Sequence, residues 1–261
     1  MPVLGTKAKE EEMKKKILIA CEESQAVCKA FRLLGHNAWS CDLQPCSGGR
    51  PEWHYHRDCT GPIMSQVWDI IIFHPDCTKM AVSGNRWYGK NTIGFSGRLK
   101  AVQWTVDMWE LIKRHSLSSV LENPVSVVFQ HLEGGSLQYI QPWQFGHGET
   151  KKTGLYIRNL PELKPTCIVS GREQIVWKMP PSADRKKLRS KTYHGIAKAM
   201  AEQWGGRSPV LGEEPLPEHC GERDLQQPTA ASQNWRSRLW KINCSRQLRL
   251  CGKPLCAIVR Q

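Results

Sequence analysis

The chain has 261 residues, and its 37 lysines and arginines against 24 aspartates and glutamates give a net charge of +13. This length allows one large α/β domain or a domain with tails, and the positive charge favours a polyanionic partner. No run of about 18 apolar residues occurs, so no membrane span or membrane partner is predicted. The charged N-terminus is unlike a secretion signal, and an odd number of cysteines, eleven, favours a reducing, cytoplasmic compartment.

The first predicted elements form a strand–helix–strand unit. Residues 1–13 are predicted to be a charged leader, and the first strand covers Lys16–Ala20. The following helix carries Val27, Phe31 and Leu34 on one face and ends at a glycine. A second strand over residues 38–41 ends in Asp42. An acid at this position is typical of dinucleotide-type folds, in which it binds ribose hydroxyls.

A loop rich in glycine, proline and histidine follows at residues 44–61 and contains Asp58. This region holds five side chains of types that ligate zinc, namely Cys41, Cys46, His54, His56 and Cys59. Their spacing fits no standard zinc pattern, and we therefore predict no metal site.

Two short motifs follow apolar runs and carry groups suited to catalysis. The run Trp68–Phe73 precedes His74-Pro75-Asp76-Cys77-Thr78, and residues 119–121 precede Glu122-Asn123-Pro124. Each motif is predicted to lie in a loop at the end of a buried strand, where ligands collect in open α/β sheets. A thiol and a carboxylate at neighbouring strand ends are the parts needed for nucleophilic attack with acid assistance.

Between these motifs lie a glycine-punctuated segment, residues 79–95, which we expect to be mobile, and a helix over residues 96–115. The helix is predicted to bury Leu99, Val102, Val106 and Trp109. A polar segment then leads to a strand at residues 154–157, a basic run at 185–191 and a helix at 195–204. These elements define a catalytic domain at residues 14–206. Residues 207–261 are expected to be a basic, poorly ordered tail.

These motifs, in their order along the chain, resemble those of the DNA cytosine-5 methyltransferases, particularly the short versions carried by bacteriophages and prophages. Pro75-Asp76-Cys77 corresponds to that family's Pro-Pro-Cys, and Glu122-Asn123-Pro124 to its Glu-Asn-Val. Residues 193–199 resemble the last motif, and the resemblance covers residues 15–205. It implies an α/β, Rossmann-like S-adenosylmethionine-dependent methyltransferase fold, with a mostly parallel sheet and helices on both faces. It also implies the cytoplasm of a bacterial host cell.

The resemblance assigns roles to individual residues. Cys77 would attack carbon 6 of cytosine, Glu122 would donate or share the proton at N3, and Asn123 would hold the loop. Lys151 stands where the family has an arginine-bearing motif that contacts the base. S-adenosylmethionine would be the methyl donor. The residues expected to bind it are Cys21, Glu22, Ser24, Asp42, Asp58 and Pro75.

Three departures from the family pattern shape the prediction. The first motif, residues 20–25, contains no glycine, and Asp76 replaces the second proline, which would raise the pKa of the thiol. Only about 40 residues lie where the family has a large target-recognition domain, so sequence reading is expected to be poor or supplied by a separate specificity partner. Methylation of another pyrimidine, in RNA or at the nucleotide level, and noncatalytic nucleic-acid binding remain alternatives.

Overall fold

The computed structural model describes residues 14–206, so the predicted leader (1–13) and tail (207–261) lie outside the described residues. The strands, in chain order, are β1 (Lys16–Ala20), β2 (Asn37–Asp42), β3 (His54–His56), β4 (Trp68–Phe73), β5 (Ser116–Pro124), β6 (Ser136–Ile140) and β7 (Thr153–Arg158). The α-helices are α1 (Ala26–Leu33), α2 (Thr60–Met64), α3 (Asn85–Tyr88), α4 (Phe95–His115), α5 (Ile175–Lys178), α6 (Arg185–Ser190) and α7 (His194–Met200). A π-helical turn, Ala201–Gly205, continues α7.

The seven strands form one sheet in the order β3-β2-β1-β4-β5-β7-β6. Strands β3, β2, β1, β4 and β5 pair in parallel, while β7 is antiparallel to both of its neighbours, β5 and β6. Helices cover both faces, since α1 and α7 pack on one and α2 and α4 on the other. The predicted Rossmann-like α/β fold with a mostly parallel sheet is therefore confirmed.

The central strands are buried on both faces, as their continuous apolar runs predict. In β1, Ile17 and Ile19 contribute to the core beneath α1 and α7, whereas Leu18 and Ala20 face the core beneath α2 and α4. All four side chains have no solvent exposure. The two-residue period of a strand thus supplies both hydrophobic layers from one segment.

Helix α1 confirms its predicted buried face, because Val27 and Phe31 are fully buried and Leu34 follows at the cap. Gly35 has a φ of 80°, the left-handed conformation that ends many helices. The burial predicted for Leu99 in α4 is wrong, since this side chain is 54% exposed. Its neighbour Arg98 is buried instead.

Arg98 can be buried because its guanidinium is satisfied by groups of the preceding segment. It donates to the carbonyls of Lys79 at 2.6 Å and Ala81 at 3.2 Å, and to Oδ1 of Asn85 at 2.7 Å. Hydrogen bonds to a charged donor offset its desolvation. Arg98 therefore anchors the glycine-punctuated segment to α4, a contact that helical periodicity alone does not reveal.

Two strand predictions also need correction. The stretch before residue 153, for which the sequence predicts no strand, contains β6. Ser136 and Leu137 of β6 are exposed, and the strand has no continuous apolar run that would have indicated it. The Glu122 motif is the end of β5 rather than a loop, because pairing with β7 continues to Pro124 opposite Thr153. An antiparallel partner outside the parallel core extends the strand.

Strand order reverses between β1 and β4, because β2 and β3 lie on one side of β1 while β4 and β5 lie on the other. In open α/β sheets, the carboxyl ends of strands at such a point form a crevice that binds ligands. The turn after β1 and the motif after β4 meet there, and the backbone N–H of His74 donates to the carbonyl of Ala20 at 2.9 Å. None of the described helices combines the length and apolarity needed to span a membrane.

Candidate active site

The loop after β4 holds Cys77 through a set of backbone contacts. The Cys77 carbonyl accepts hydrogen bonds from the backbone N–H groups of Met80, at 3.0 Å, and Ala81, at 2.9 Å. On the other side of the thiol, Asn123 Nδ2 donates to the Pro75 carbonyl at 3.1 Å. These contacts fix the loop against the end of β5 and leave Cys77 half-buried.

The pKa of the Cys77 thiol is raised by burial, and the negative charges of Glu122 and Asp76 raise it further. Lys151 opposes these effects, because its positive charge favours the thiolate. The thiolate is the nucleophilic form of cysteine. The resting site therefore holds Cys77 mainly as a thiol, and the charge of Lys151 counters this.

Asp76 is ionised and paired. Burial alone would raise its pKa, but hydrogen bonds from Thr78 and Lys186 outweigh burial and lower it. Lys186 Nζ lies 2.9 Å from Asp76 Oδ2, and both side chains are largely exposed. The negative charge of Asp76 is thus offset by a cation from α6.

Glu122 lies beside His74, and both side chains are largely buried. His74 Nδ1 is 2.7 Å from Glu122 Oε2, and the side chains are 10% and 12% exposed, respectively. Burial alone would raise the pKa of Glu122 and lower that of His74. The hydrogen bond and opposite charges reverse both effects, so the Glu122 pKa is lowered and the His74 pKa is raised. Each member of the pair therefore favours the charged form of the other.

Asn123 and Lys151 are also brought to this site. Asn123 is 1% exposed, and its Oδ1 is buried without a hydrogen-bond partner in the described chain. Lys151 interacts electrostatically with both Cys77 and Glu122. Its ammonium is held by the carbonyl of Lys191 at 3.3 Å and lies 5.7 Å from the centre of the Tyr193 ring. The fold thus assembles all four predicted catalytic residues.

The turn after β1 shows how a glycine-free motif occupies this position. Cys21 and Gln25 have φ angles of 62° and 57°, in the left-handed region that glycine adopts most readily. The Gln25 side chain is fully buried, donates to the Arg50 carbonyl at 2.7 Å and accepts from the Arg50 N–H at 3.1 Å. Side-chain hydrogen bonds therefore stabilise a backbone path that glycine would adopt without them.

The side chain of Glu22 has a structural role at the start of helix α1. Its carboxylate accepts the N–H groups of Val27 at 2.7 Å and Cys28 at 3.3 Å in the first turn of α1. Burial raises its pKa, whereas the charge of His74 lowers it. The carboxylate of Glu22 therefore stabilises the connection between the turn after β1 and helix α1.

Glu23 has the opposite character. It is 9% exposed, and neither carboxylate oxygen receives a hydrogen bond from the described residues. Lys187 of α6 forms an ion pair with it at 3.6 Å. Buried carboxylates are costly without hydrogen bonds. Glu23 is therefore a buried acceptor suited to a cationic, N–H-bearing ligand.

The remaining predicted cofactor residues lie at the rim. Asp42 Oδ1 accepts the N–H of Gln44, and Asp58 Oδ1 accepts that of Thr60, both at 2.8 Å. Ser24 Oγ makes only a long contact, 3.4 Å, to the N–H of Ala26. Each acid therefore has a structural role as a turn or helix-start acceptor and retains further oxygen lone pairs for a ligand.

The sulfur atoms of Cys21 and Cys59 are 3.9 Å apart, which places the turn after β1 beside the loop after β3. Neither this group nor any other among residues 14–206 brings together three His, Cys, Asp or Glu side chains able to hold a metal ion. His54 instead contacts Ser40 and the carbonyl of Gln44, and His56 contacts the carbonyl of Leu43. These contacts account for the histidines that had suggested zinc.

Sequence reasoning gave no role to three groups at this site: His74, Glu23 and the lysines of α6. The available signal for His74 was its position directly after a buried strand, and that for Glu23 was its place next to Glu22. The basic run of residues 185–191 was recognised, but its ion pairs with Asp76 and Glu23 span more than 100 residues of sequence. Local patterns do not encode such contacts.

No protein-family model matches the chain, and no curated protein matches it. Among solved structures, it is similar to a protein described as a DNA modification methyltransferase encoded within an E. coli prophage, at 11% identity and a TM-score of 0.40, over 59% of this chain and 52% of that chain. It is also similar to the Entamoeba histolytica methyltransferase EhMeth, at 12% identity and a TM-score of 0.40, over 66% and 62% of the two chains. For the S. pombe Dnmt2 methyltransferase the values are 12% and 0.36, over 63% and 53%.

The match thus spans less than two thirds of the length of each of these three proteins. At such identities and TM-scores, the likeness assigns neither a family nor an activity to this chain.

Proposed function

We propose that the chain transfers a methyl group from S-adenosylmethionine to carbon 5 of cytosine in DNA, with relaxed or very short sequence specificity. The observation that carries the proposal is the convergence of Cys77 and Glu122 at adjoining strand ends. The two groups interact electrostatically, and Asn123 ties their backbones together. The catalytic unit would be residues 14–206, acting in the cytoplasm of a bacterial host cell.

The residues divide the reaction between them. As the Cys77 thiol gives up its proton and Sγ bonds to carbon 6, the C5–C6 π electrons form a C4–C5 double bond and the C4–N3 π electrons move to N3. N3 takes up one proton, which it shares with the Glu122 carboxylate and releases when the ring is restored. Lys151 opposes the acids around the thiol and favours the attacking thiolate. After the new bond at carbon 5 has formed, loss of the carbon 5 proton and cleavage of the S–C6 bond restore the thiolate and the aromatic ring.

The chemistry of the crevice fits a cationic nucleoside cofactor. S-adenosylmethionine supplies an electrophilic methyl group when bound. It also carries an ammonium group, which can donate hydrogen bonds to the Glu23 carboxylate. Asp42 and Asp58 offer carboxylate oxygens at the carboxyl ends of β2 and β3, suited to hydroxyl donors. Cys21, Glu22, Ser24 and Pro75 would form the surrounding wall.

A nucleic-acid substrate is supported by charge. The chain carries a net charge of +13, and α6 presents lysines at the mouth of the crevice. Positive charge binds phosphates without reading sequence. Selective methylation would then depend on a short base contact near Lys151 or on a separate specificity partner.

The test is covalent trapping. DNA containing 5-fluorocytosine blocks the elimination step, so the full chain with S-adenosylmethionine should remain attached to it through Cys77. Cys77→Ser should abolish the adduct, while Cys46→Ser, a half-buried free cysteine outside the site, should retain it. An adduct that survives Cys77→Ser would mean that the nucleophile is misassigned.

The alternatives give different results in the same assay. Adducts on fluoropyrimidine RNA or nucleotides, but none on DNA, would support methylation of another pyrimidine. Noncatalytic binding is favoured by the raised pKa of Cys77 and by Asp76 beside it. It would give salt-sensitive DNA binding without an adduct on any of these substrates.

A further inference from the structure

We propose that His74 is a positioning residue for Glu122, which fixes one carboxyl oxygen so that the other faces the pyrimidine. This inference rests on the proposed function and assigns a role to a residue that the motif comparison leaves without one. The imidazole ring donates from Nδ1 to Oε2 across 2.7 Å. No described residue hydrogen-bonds to Oε1 of Glu122, so this oxygen remains available for substrate.

Among the described residues, the side chains of His74 and Glu122 have no hydrogen-bond partner other than each other. His74 Nε2 is buried and receives no hydrogen bond from the described residues, so Glu122 is the partner that sets the orientation of the ring. The backbone of His74 is in turn fixed by its N–H bond to Ala20 in β1. Orientation is thus transmitted from the central strand through the imidazole to the carboxyl group.

The charged groups that face His74 come from three elements. Glu122 lies on β5, Glu22 on the turn after β1, and Lys151 just before β7. The two acids stabilise the imidazolium, and Lys151 opposes it. Because the net effect raises the His74 pKa, the imidazolium persists above the ordinary histidine range of about 6.5, and its positive charge beside Glu122 is lost as pH rises further.

The first experiment separates positioning from packing. His74→Asn keeps an N–H donor close to the position of Nδ1, whereas His74→Leu removes it. We expect His74→Leu to lower kcat for methylation by about 100-fold, the scale of a lost proton-handling group, with KM and S-adenosylhomocysteine affinity changed less than about twofold. His74→Asn should recover about tenfold of that loss and lack the decline in kcat at alkaline pH. The control His131→Asn, at an exposed histidine, should match the unaltered protein.

The second experiment reads the contact without catalysis. In the full chain labelled with ¹⁵N-histidine, the His74 ring should titrate above the ordinary histidine range, and Glu122→Gln should move its midpoint to lower pH. Glu133→Gln, at an exposed glutamate, should leave the midpoint unchanged.

The outcomes distinguish the two proposals. If the unaltered protein forms no fluorocytosine adduct on any substrate, the proposed function fails. If it does form the adduct and His74→Leu retains full kcat, only the positioning role is overturned. The same holds if the His74 titration is insensitive to Glu122→Gln, or if His74→Asn is as impaired as His74→Leu.

Discussion

Single residues of the turn after β1 shape the site proposed for S-adenosylmethionine. Cys21 and Gln25 adopt left-handed backbone angles that cost roughly 1 kcal/mol or more in residues other than glycine. The three hydrogen bonds of the Gln25 side chain, to Ser40 and to both backbone groups of Arg50, offset that cost. The backbone path of the turn is therefore kept. In the same turn, the Glu23 carboxylate pairs with Lys187 but receives no hydrogen bond from the described residues.

This arrangement predicts the effect of removing each acid on cofactor binding. Asp42→Ala and Glu23→Gln should each weaken S-adenosylhomocysteine binding by roughly 1–3 kcal/mol, the scale of a lost charge-assisted hydrogen bond. Calorimetry on the full chain measures the change, and Asp107→Ala, in an exposed part of α4, is the control. Unchanged affinity in both variants would place the cofactor elsewhere.

Among the elements, α6 has a role disproportionate to its six residues. It bridges the two halves of the crevice, since Lys186 pairs with Asp76 after β4 and Lys187 pairs with Glu23 after β1. Lys186 also interacts electrostatically with Cys77 and Asp42. A short basic helix thereby offsets acidic charge both beside Cys77 and in the turn after β1.

We expect Lys186→Ala to make Cys77 less reactive. Loss of the cation leaves Asp76 unpaired beside the thiol, so the thiol pKa rises and less thiolate is present at a given pH. The rate of Cys77 alkylation by iodoacetamide, followed by mass spectrometry at pH 8, should fall about twofold to fivefold, the scale of one charge interaction in a solvated site. Lys100→Ala, on the exposed face of α4, should have no effect. Equal or faster alkylation in Lys186→Ala would contradict this role of α6.

For the whole molecule, the proposed function implies that the balance between positive charge and recognition surface limits sequence specificity. Residues 154–192 provide most of β7 and the short helices α5 and α6, joined by loops. Each good base contact contributes roughly 1–3 kcal/mol of discrimination and needs a side chain held at a groove edge. On the proposed function, the net charge of +13 would contribute affinity for DNA of any sequence.

We therefore expect DNA methylation at a site of about one to three bases, or at cytosines in relaxed context, because few side chains are available to read more. Bisulfite sequencing of DNA exposed to the purified chain provides the measurement. The affinity for DNA should also fall steeply with salt. A strict site of five or more base pairs, read by this chain alone, would contradict the argument.

The sequence by itself determined the features that depend on neighbours along the chain. Apolar runs predicted β1 and β4, helical spacing predicted α1 and α4, and the polar groups that follow the strands placed Cys77 and Asp42 at strand ends. These signals are local, because side-chain periodicity and turn chemistry act over a few residues.

Only the tertiary structure decided which polar groups meet. His74 and Glu122 are 48 residues apart and become partners because β4 lies beside β5 in parallel register. Arg98 is buried where Leu99 is predicted to be, because carbonyls of the preceding loop accept hydrogen bonds from its guanidinium. The strand β6, in which three of five residues are exposed, forms because β7 provides its hydrogen-bond partners. Sheet order, register and the satisfaction of buried polar groups are long-range properties, and they determine the chemistry of the site.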